Sequence, residues 1–93
     1  MIESFKDKDT EHVWMQFPIR KLAFSVQRLA LRKMFMLSRA SSLRDLQVPP
    51  GNRLEQLKGS RAGQYSVRIN GRWRLCFKWE NGNAYDVEIT DYH

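Results

Sequence analysis

The stretch Arg72–Thr90, "RWRLCFKWENGNAYDVEIT", decides the fold. Trp73, Leu75, Phe77 and Trp79 alternate with Arg74, Cys76 and Lys78, the period-two pattern of a strand with one face in a core. After "ENG", the residues Tyr85, Val87 and Ile89 repeat that pattern, so the two runs read as a tight hairpin. Register matters here, because a slip of one residue turns every apolar side chain outward. A two-residue Asn81-Gly82 turn sets Phe77 opposite Asp86. Parity therefore favours a three-residue loop, Glu80 to Gly82, with Phe77 opposite Tyr85 and Leu75 opposite Val87.

The pattern extends toward the N-terminus. "QYSVRIN" (64–70) places Tyr65, Val67 and Ile69 on one face. A three-residue loop from Asn70 to Arg72 pairs Val67 with Leu75 and Ile69 with Trp73. Arg68 then falls opposite Arg74 on the other face. Opposed arginines are destabilising in a plain sheet and make sense if an anion lies between or above them. "RLEQLKG" (53–59) is one more candidate strand. The connector "ASSLRDLQVPPGNR" (40–53) holds a helical turn or two in "SSLRDL"; "VPPGN" is then extended before it turns, as its prolines and glycine dictate.

The first half reads as helical. "IESF" (2–5) alternates as a short first strand, and "DKDTEH" (7–12) opens a short helix capped by Asp7 or Asp9. From Ile19 to about Ser38, Leu22, Val26, Leu29, Ala30 and Leu37 form an apolar stripe, with Arg20, Gln27, Arg28 and Arg32 away from it. Pro18 suits the first turn of that helix. Met34, Phe35 and Met36 read as packing residues. The expected architecture is α+β: a mostly antiparallel, twisted β-sheet packed against N-terminal helices. One sheet face lies under the long helix and the other is cationic. Residues 1–93 make one domain.

The chain is 42% hydrophobic and carries a formal net charge of +6, which favours an anionic partner such as nucleic acid, an acidic protein or a membrane surface. From His12 through Arg44 there are seven Arg or Lys and no carboxylate. From Leu46 through Trp79 there are seven more against one carboxylate, Glu55. A single cysteine, Cys76, rules out an intrachain disulfide and fits a reducing cytoplasm. No apolar run suits a signal peptide or a membrane span.

Gly-rich phosphate loops, CxxC, HExxH and GxSxG are all missing from the sequence. His12 and His93 lack metal-ligand spacing, so neither a metal nor a cofactor is expected. The remaining residues suit RNA backbone cleavage. That reaction needs a base for the ribose 2′-hydroxyl proton, cations for the phosphorane-like transition state and an acid for the leaving 5′-oxygen. His93 is the natural acid. Glu55 or Asp91 is the base candidate, or Asp91 orients His93. Tyr92 stacks on a base or donates to a phosphate. Lys58, Arg61, Arg68 and Arg74 are the phosphate candidates.

Two segments, "LRDLQVPPGNRLEQLKGSRAGQYSVRINGRWRLCF" and the terminal "VEITDYH", together with the opening "MIESF", resemble the HigB-type toxins of the RelE/ParE superfamily. The resemblance covers nearly the whole chain and is weakest around "HVWMQFPIRK". It implies a RelE-like sheet flanked by helices, in a type II toxin that cleaves mRNA in the A site of the 70S ribosome. It implies a HigA-like helix-turn-helix antitoxin, with operator DNA bound only through that partner. By position, Asp91, Tyr92 and His93 match the terminal catalytic segment. Arg74 matches a phosphate-binding arginine and Lys58 a basic active-site residue. Glu55 falls where some relatives have a histidine. The ParE branch offers a different expectation, a non-catalytic inhibitor of DNA gyrase. A nucleic-acid-binding module without toxicity is a third.

Overall fold

The computed structural model describes residues 1–91. Helix α1 spans Lys8–Trp14 and α2 spans Phe24–Arg39. Strands β1 (Glu55–Gln56), β2 (Gln64–Arg68), β3 (Trp73–Glu80) and β4 (Asn83–Asp91) follow, joined in that order as one antiparallel sheet. Short 3-10 turns at Leu43–Gln47, Pro50–Asn52 and Gly59–Arg61 carry the connections.

Asp7 caps α1 as the sequence suggests, its Oδ1 accepting from the Thr10 amide at 2.7 Å. The long helix starts five residues later than the apolar stripe implies, and Pro18 lies in the linker before it. Gln27 explains the late start. Far from facing solvent, it is 7% exposed. Its Oε1 accepts from the Ile19 amide, and its Nε2 donates to the carbonyls of Ile19 and Leu22. One side chain thus supplies partners that the linker backbone would otherwise lack. Leu29, expected in the stripe, is among the exposed hydrophobics.

Ala30, Met34 and Leu37 are fully buried on α2 and pack over Val67, Leu75, Phe77, Ala84 and Val87 of the sheet. The long helix covers the apolar face, as expected. Phe77 also stacks with Tyr65 and meets Trp79 edge-on.

The β2–β3 hairpin has the expected register, with Val67 opposite Leu75 and Arg68 opposite Arg74. The β3–β4 hairpin does not. Glu80 pairs with Asn83, so the turn is the two-residue Asn81-Gly82, both with positive φ (51° and 79°). That is the geometry such a dipeptide favours in hairpins. Lys78, not Phe77, lies opposite Tyr85, and Leu75 lies opposite Ile89 rather than Val87. A β-bulge between Cys76 and Lys78 reconciles turn and faces. Phe77 faces two residues, Asp86 and Val87, and Asp86 takes φ 51°. Ala84 therefore fills the core position expected for Tyr85.

The opening segment lies along the free edge of β4 as two parallel bridges, Ile2 to Ala84 and Phe5 to Val87. The three-residue steps match across the bulge, and the Ser4 hydroxyl accepts from the Asp86 amide at 2.9 Å. Further along the same edge, buried Thr10 of α1 accepts from the Ile89 amide. The edge is thereby closed to another chain. "RLEQLKG" contributes only two paired residues, extended by the Leu57 amide donating to the Gln64 carbonyl.

Candidate active site

Alternation puts Glu55, Ser66, Cys76 and Glu88 in one row across the sheet face away from α2. Arg68, Arg74 and Thr90 form the next row. Arg74 is the organising residue. It is 5% exposed. Its Nε donates to Ser66 Oγ at 2.8 Å and its Nη2 to the Arg53 carbonyl at 2.6 Å. The Glu55 carboxylate lies 3.8 Å from the same Nη2. Arg53 can present its carbonyl because it takes a left-handed conformation (φ 45°) after the Pro50–Asn52 turn.

Glu55 is about half exposed, so a reactant can reach it from solvent while Arg74 holds charge beneath. Beside Arg74, the buried Thr90 hydroxyl has no hydrogen-bond partner among the described residues. A fixed guanidinium beneath an accessible carboxylate is a setting suited to a phosphodiester.

The opposed arginines point away from each other. Arg74 turns toward β1 and Arg68 toward the hairpin loop, where it reaches Gly71. Arg68 also lies close enough to Lys33 of α2 to matter electrically. Burial, with Arg32 and Arg68 nearby, lowers the Lys33 pKa. Lys33 Nζ donates to Asn52 Oδ1 at 2.6 Å, and the Asn52 amide group holds the Leu46 carbonyl. The Pro50–Asn52 turn, and so the Arg53 carbonyl, is tied down from both sides.

The other expected site residues divide. Lys58 is exposed and makes no side-chain bond among the described residues. Arg61 is engaged: its Nη1 donates to Glu88 Oε1 at 3.0 Å and Gln64 Oε1 at 3.1 Å, bridging β2 and β4 over β3. Asp91 pairs with Trp73, whose parity places it on the face opposite Arg74. There Arg72 grips it with a fork, Nε to Oδ1 at 3.1 Å and Nη2 to Oδ2 at 2.8 Å. That hydrogen bond, then the charge of Asp91, raises the Arg72 pKa. Arg72 also lies over the Trp73 ring, 5.0 Å from its centroid. Tyr92 and His93 lie outside the described residues. The structure therefore brings Glu55 and Arg74 together and sets Asp91 apart.

The face is also less cationic than expected. Glu55 and Glu88 offset Arg74 and Arg61, and Lys78 pairs with Asp86 at 3.2 Å. Unpaired positive charge gathers on α2 and its neighbours, where Arg20, Arg28, Arg32, Arg39 and Arg44 have no ion pair among the described residues, and Arg53, Lys58 and Arg68 on the sheet side likewise have none there. Ser66, Arg72 and the Arg53 carbonyl escaped the sequence reading. Register alone places Ser66 beside Arg74, but nothing in the sequence announces the left-handed Arg53.

Among the described residues no cluster of three or more His, Cys, Asp or Glu has the makings of a metal site. No helix among them is long and apolar enough to cross a membrane.

Similar proteins bear on this geometry. The chain is 36% identical over 91 residues to Toxin HigB-1 of Vibrio cholerae serotype O1, covering 98% of this chain and 88% of that one. It is 42% identical over 41 residues to Endoribonuclease HigB of Proteus vulgaris, covering 44% and 45%. The fold is shared with YoeB in the YoeB–YefM complex from Staphylococcus aureus (TM-score 0.64, 18% identity, 100% and 95% covered). It is shared equally with a mutant YafQ from E. coli (TM-score 0.63, 15% identity, 98% and 91% covered). The family model for the RelE-like toxin of type II toxin-antitoxin system HigB matches residues 3–93. A RelE-like sheet under two helices and this match over nearly the whole sequence lead to one conclusion: the chain belongs to the HigB-like family of type II toxins.

Proposed function

We propose that the chain is a ribosome-dependent endoribonuclease that cuts translated mRNA without a metal. The observation that carries this reading is Arg74, a buried guanidinium fixed by Ser66 and Arg53 beside the open carboxylate of Glu55. A cation so held needs no reorganisation when charge develops on a phosphorane, which is where a static site gains most.

In the proposed step the ribose 2′-oxygen attacks phosphorus and the bond to the 5′-oxygen breaks. Glu55 receives the 2′-hydroxyl proton and His93 gives one to the departing 5′-oxygen. The products are a 2′,3′-cyclic phosphate and a 5′-hydroxyl. Arg74 stabilises the phosphorane, with Lys58 and Arg68 on flanking phosphates. Arg61 supports the site by holding Glu88. Tyr92 stacks on a base. Asp91 acts as a positioning residue, anchored by Arg72 immediately before Tyr92 and His93 in the sequence. The ribosome aligns the RNA, which lightens the demand on a weak carboxylate base. The proposed partner in the cell is a HigA-like antitoxin, in keeping with the toxin–antitoxin complex found among the structural neighbours.

The test is a reconstituted translation reaction with 5′-end mapping. The chain cuts within translated codons, and His93→Ala abolishes cutting while keeping its circular dichroism. Growth arrest without new 5′ ends would overturn the reading in favour of a non-catalytic inhibitor of the gyrase-directed kind.

A further inference from the structure

The apolar side of α2 that does not face the sheet is open. A cavity of about 460 Å³ lies between this flank and the linker after α1, lined by Phe17, Phe24, Leu31 and Phe35 with Arg28 and Arg32 at its rim. Phe17, Phe24 and Phe35 are 56%, 64% and 46% exposed. Three half-bare phenylalanines around one groove exceed the scattered apolar residues that a monomer leaves on its surface. Nothing in the proposed cleavage uses them, since α2 and the sheet core separate the groove from Glu55 and Arg74.

We propose that this groove receives an acidic, amphipathic helical segment of the antitoxin. The inference rests on the reading of the chain as a toxin with such a partner. Charge names the occupant. Arg28 and Arg32 are one helical turn apart, are exposed, and have no ion pair among the described residues. The sequence from His12 through Arg44 contains no carboxylate to neutralise them. A segment with aliphatic or aromatic residues at i, i+3, i+4 and i+7 fills the groove, and carboxylates along its border meet the two guanidiniums. A second copy of this chain fits poorly: a two-fold contact sets the same arginines against each other. Docking here also leaves the Glu55–Arg74 face uncovered, so neutralisation acts by keeping the toxin from its target rather than by plugging the site.

The probe is the HigA-like protein whose coexpression restores growth to cells making this chain. Its affinity is measured against the full chain, the double variant Arg28→Glu/Arg32→Glu and the variant Phe24→Ser, each checked for an unchanged melting temperature. Both variants should keep full toxicity, lose growth rescue and bind at least 100-fold more weakly. A Glu→Lys change in the antitoxin segment should recover binding to the Arg→Glu variant only. Unchanged affinity and rescue would overturn the proposal. So would loss of toxicity in the folded variants, which would assign the groove to RNA or the ribosome. A wild-type dimer made monomeric by the same changes would assign it to self-association. Affinity is read without cleavage, so a toxin that binds its antitoxin through this groove yet cuts no mRNA overturns only the nuclease reading.

Discussion

Replacing Arg74 with Met separates what the residue does for the fold from what it does for RNA. The guanidinium is 5% exposed and donates to Ser66 Oγ and the Arg53 carbonyl. Hydrogen bonds to a charged group contribute about 1.5–3 kcal/mol each, so losing these two short ones threatens about 3–6 kcal/mol, to which the long 3.4 Å contact from Nη2 to the Ser66 carbonyl adds little. Three effects lower that figure. Met fills much of the same volume, no charge has to leave water, and the carbonyl of exposed Arg53 regains a water partner. Ser66 has no such relief, since it is fully buried. The expected net loss is about 2–4 kcal/mol, or a fall in Tm of about 10–30 °C for a domain of this size. Urea and thermal melts measure it. Single-turnover cleavage, corrected for the folded fraction, should fall by about 10²–10³ beyond the stability effect, the scale for losing one transition-state donor. A melt within about 4 °C of wild type would refute the buried-fork argument. A corrected rate equal to wild type would leave Arg74 a structural residue and move the anion site elsewhere.

Two further expectations concern the fold. Asp86→Gly should be neutral or stabilising by up to about 1 kcal/mol, because Asp86 holds φ 51° in the bulge and its exposed pair with Lys78 contributes little; a clear loss in urea midpoint would show that the bulge depends on the side chain. Asp45 accepts from the Ser41 amide and hydroxyl and from the Ser42 amide, which holds its carboxyl below the usual aspartate range. A depressed folded pKa gives stability that is present above the unfolded value and lost as pH falls through the folded one. The acid limb of the stability curve should therefore flatten in Asp45→Asn, and an identical limb would remove the linkage.

The faces of the sheet were legible where strand period and turn chemistry agreed. Val67, Leu75 and Phe77 go inward, and the Asn70–Arg72 loop fixes Arg68 against Arg74. They were misread where the two conflicted. Asn81-Gly82 favours a two-residue turn, while Phe77 needs an apolar partner, and the sequence reading settled that conflict by lengthening the loop. The chain settles it by inserting a bulge at Asp86. Nothing local marks that residue, because Asp tolerates a left-handed backbone without requiring one. Gln27 hid for a similar reason. Propensity and period treat it as a solvent residue, and only the unpaired backbone of the linker, a tertiary fact, draws it inside. At the site, the residue types were legible and the grouping was not. Alternation places Asp91 one step from Thr90 and so across the sheet from Arg74, whereas its place just before Tyr92 and His93 in the sequence groups it with the proposed catalytic segment.

The distribution of charge gives the two faces different tasks. On the sheet, three cations near Glu55 are held, Arg74 by backbone and serine, Arg61 by Glu88 and Lys78 by Asp86, while Lys58 stays exposed without a side-chain bond among the described residues. A cation as buried as Arg74 costs a chain stability, and in the proposed reaction that cost is offset at the phosphate, where fixed geometry counts. On α2 the arginines are exposed and unpaired among the described residues, which costs little in water but leaves a field that draws an anionic partner from a distance. Raising salt should therefore weaken association with an acidic partner through α2 far more than it slows cleavage of RNA already bound, since exposed charges are screened and buried ones are not. Stopped-flow association and single-turnover cleavage at about 50 and 500 mM salt compare the two directly, and equal sensitivity would show that both surfaces work by the same long-range attraction.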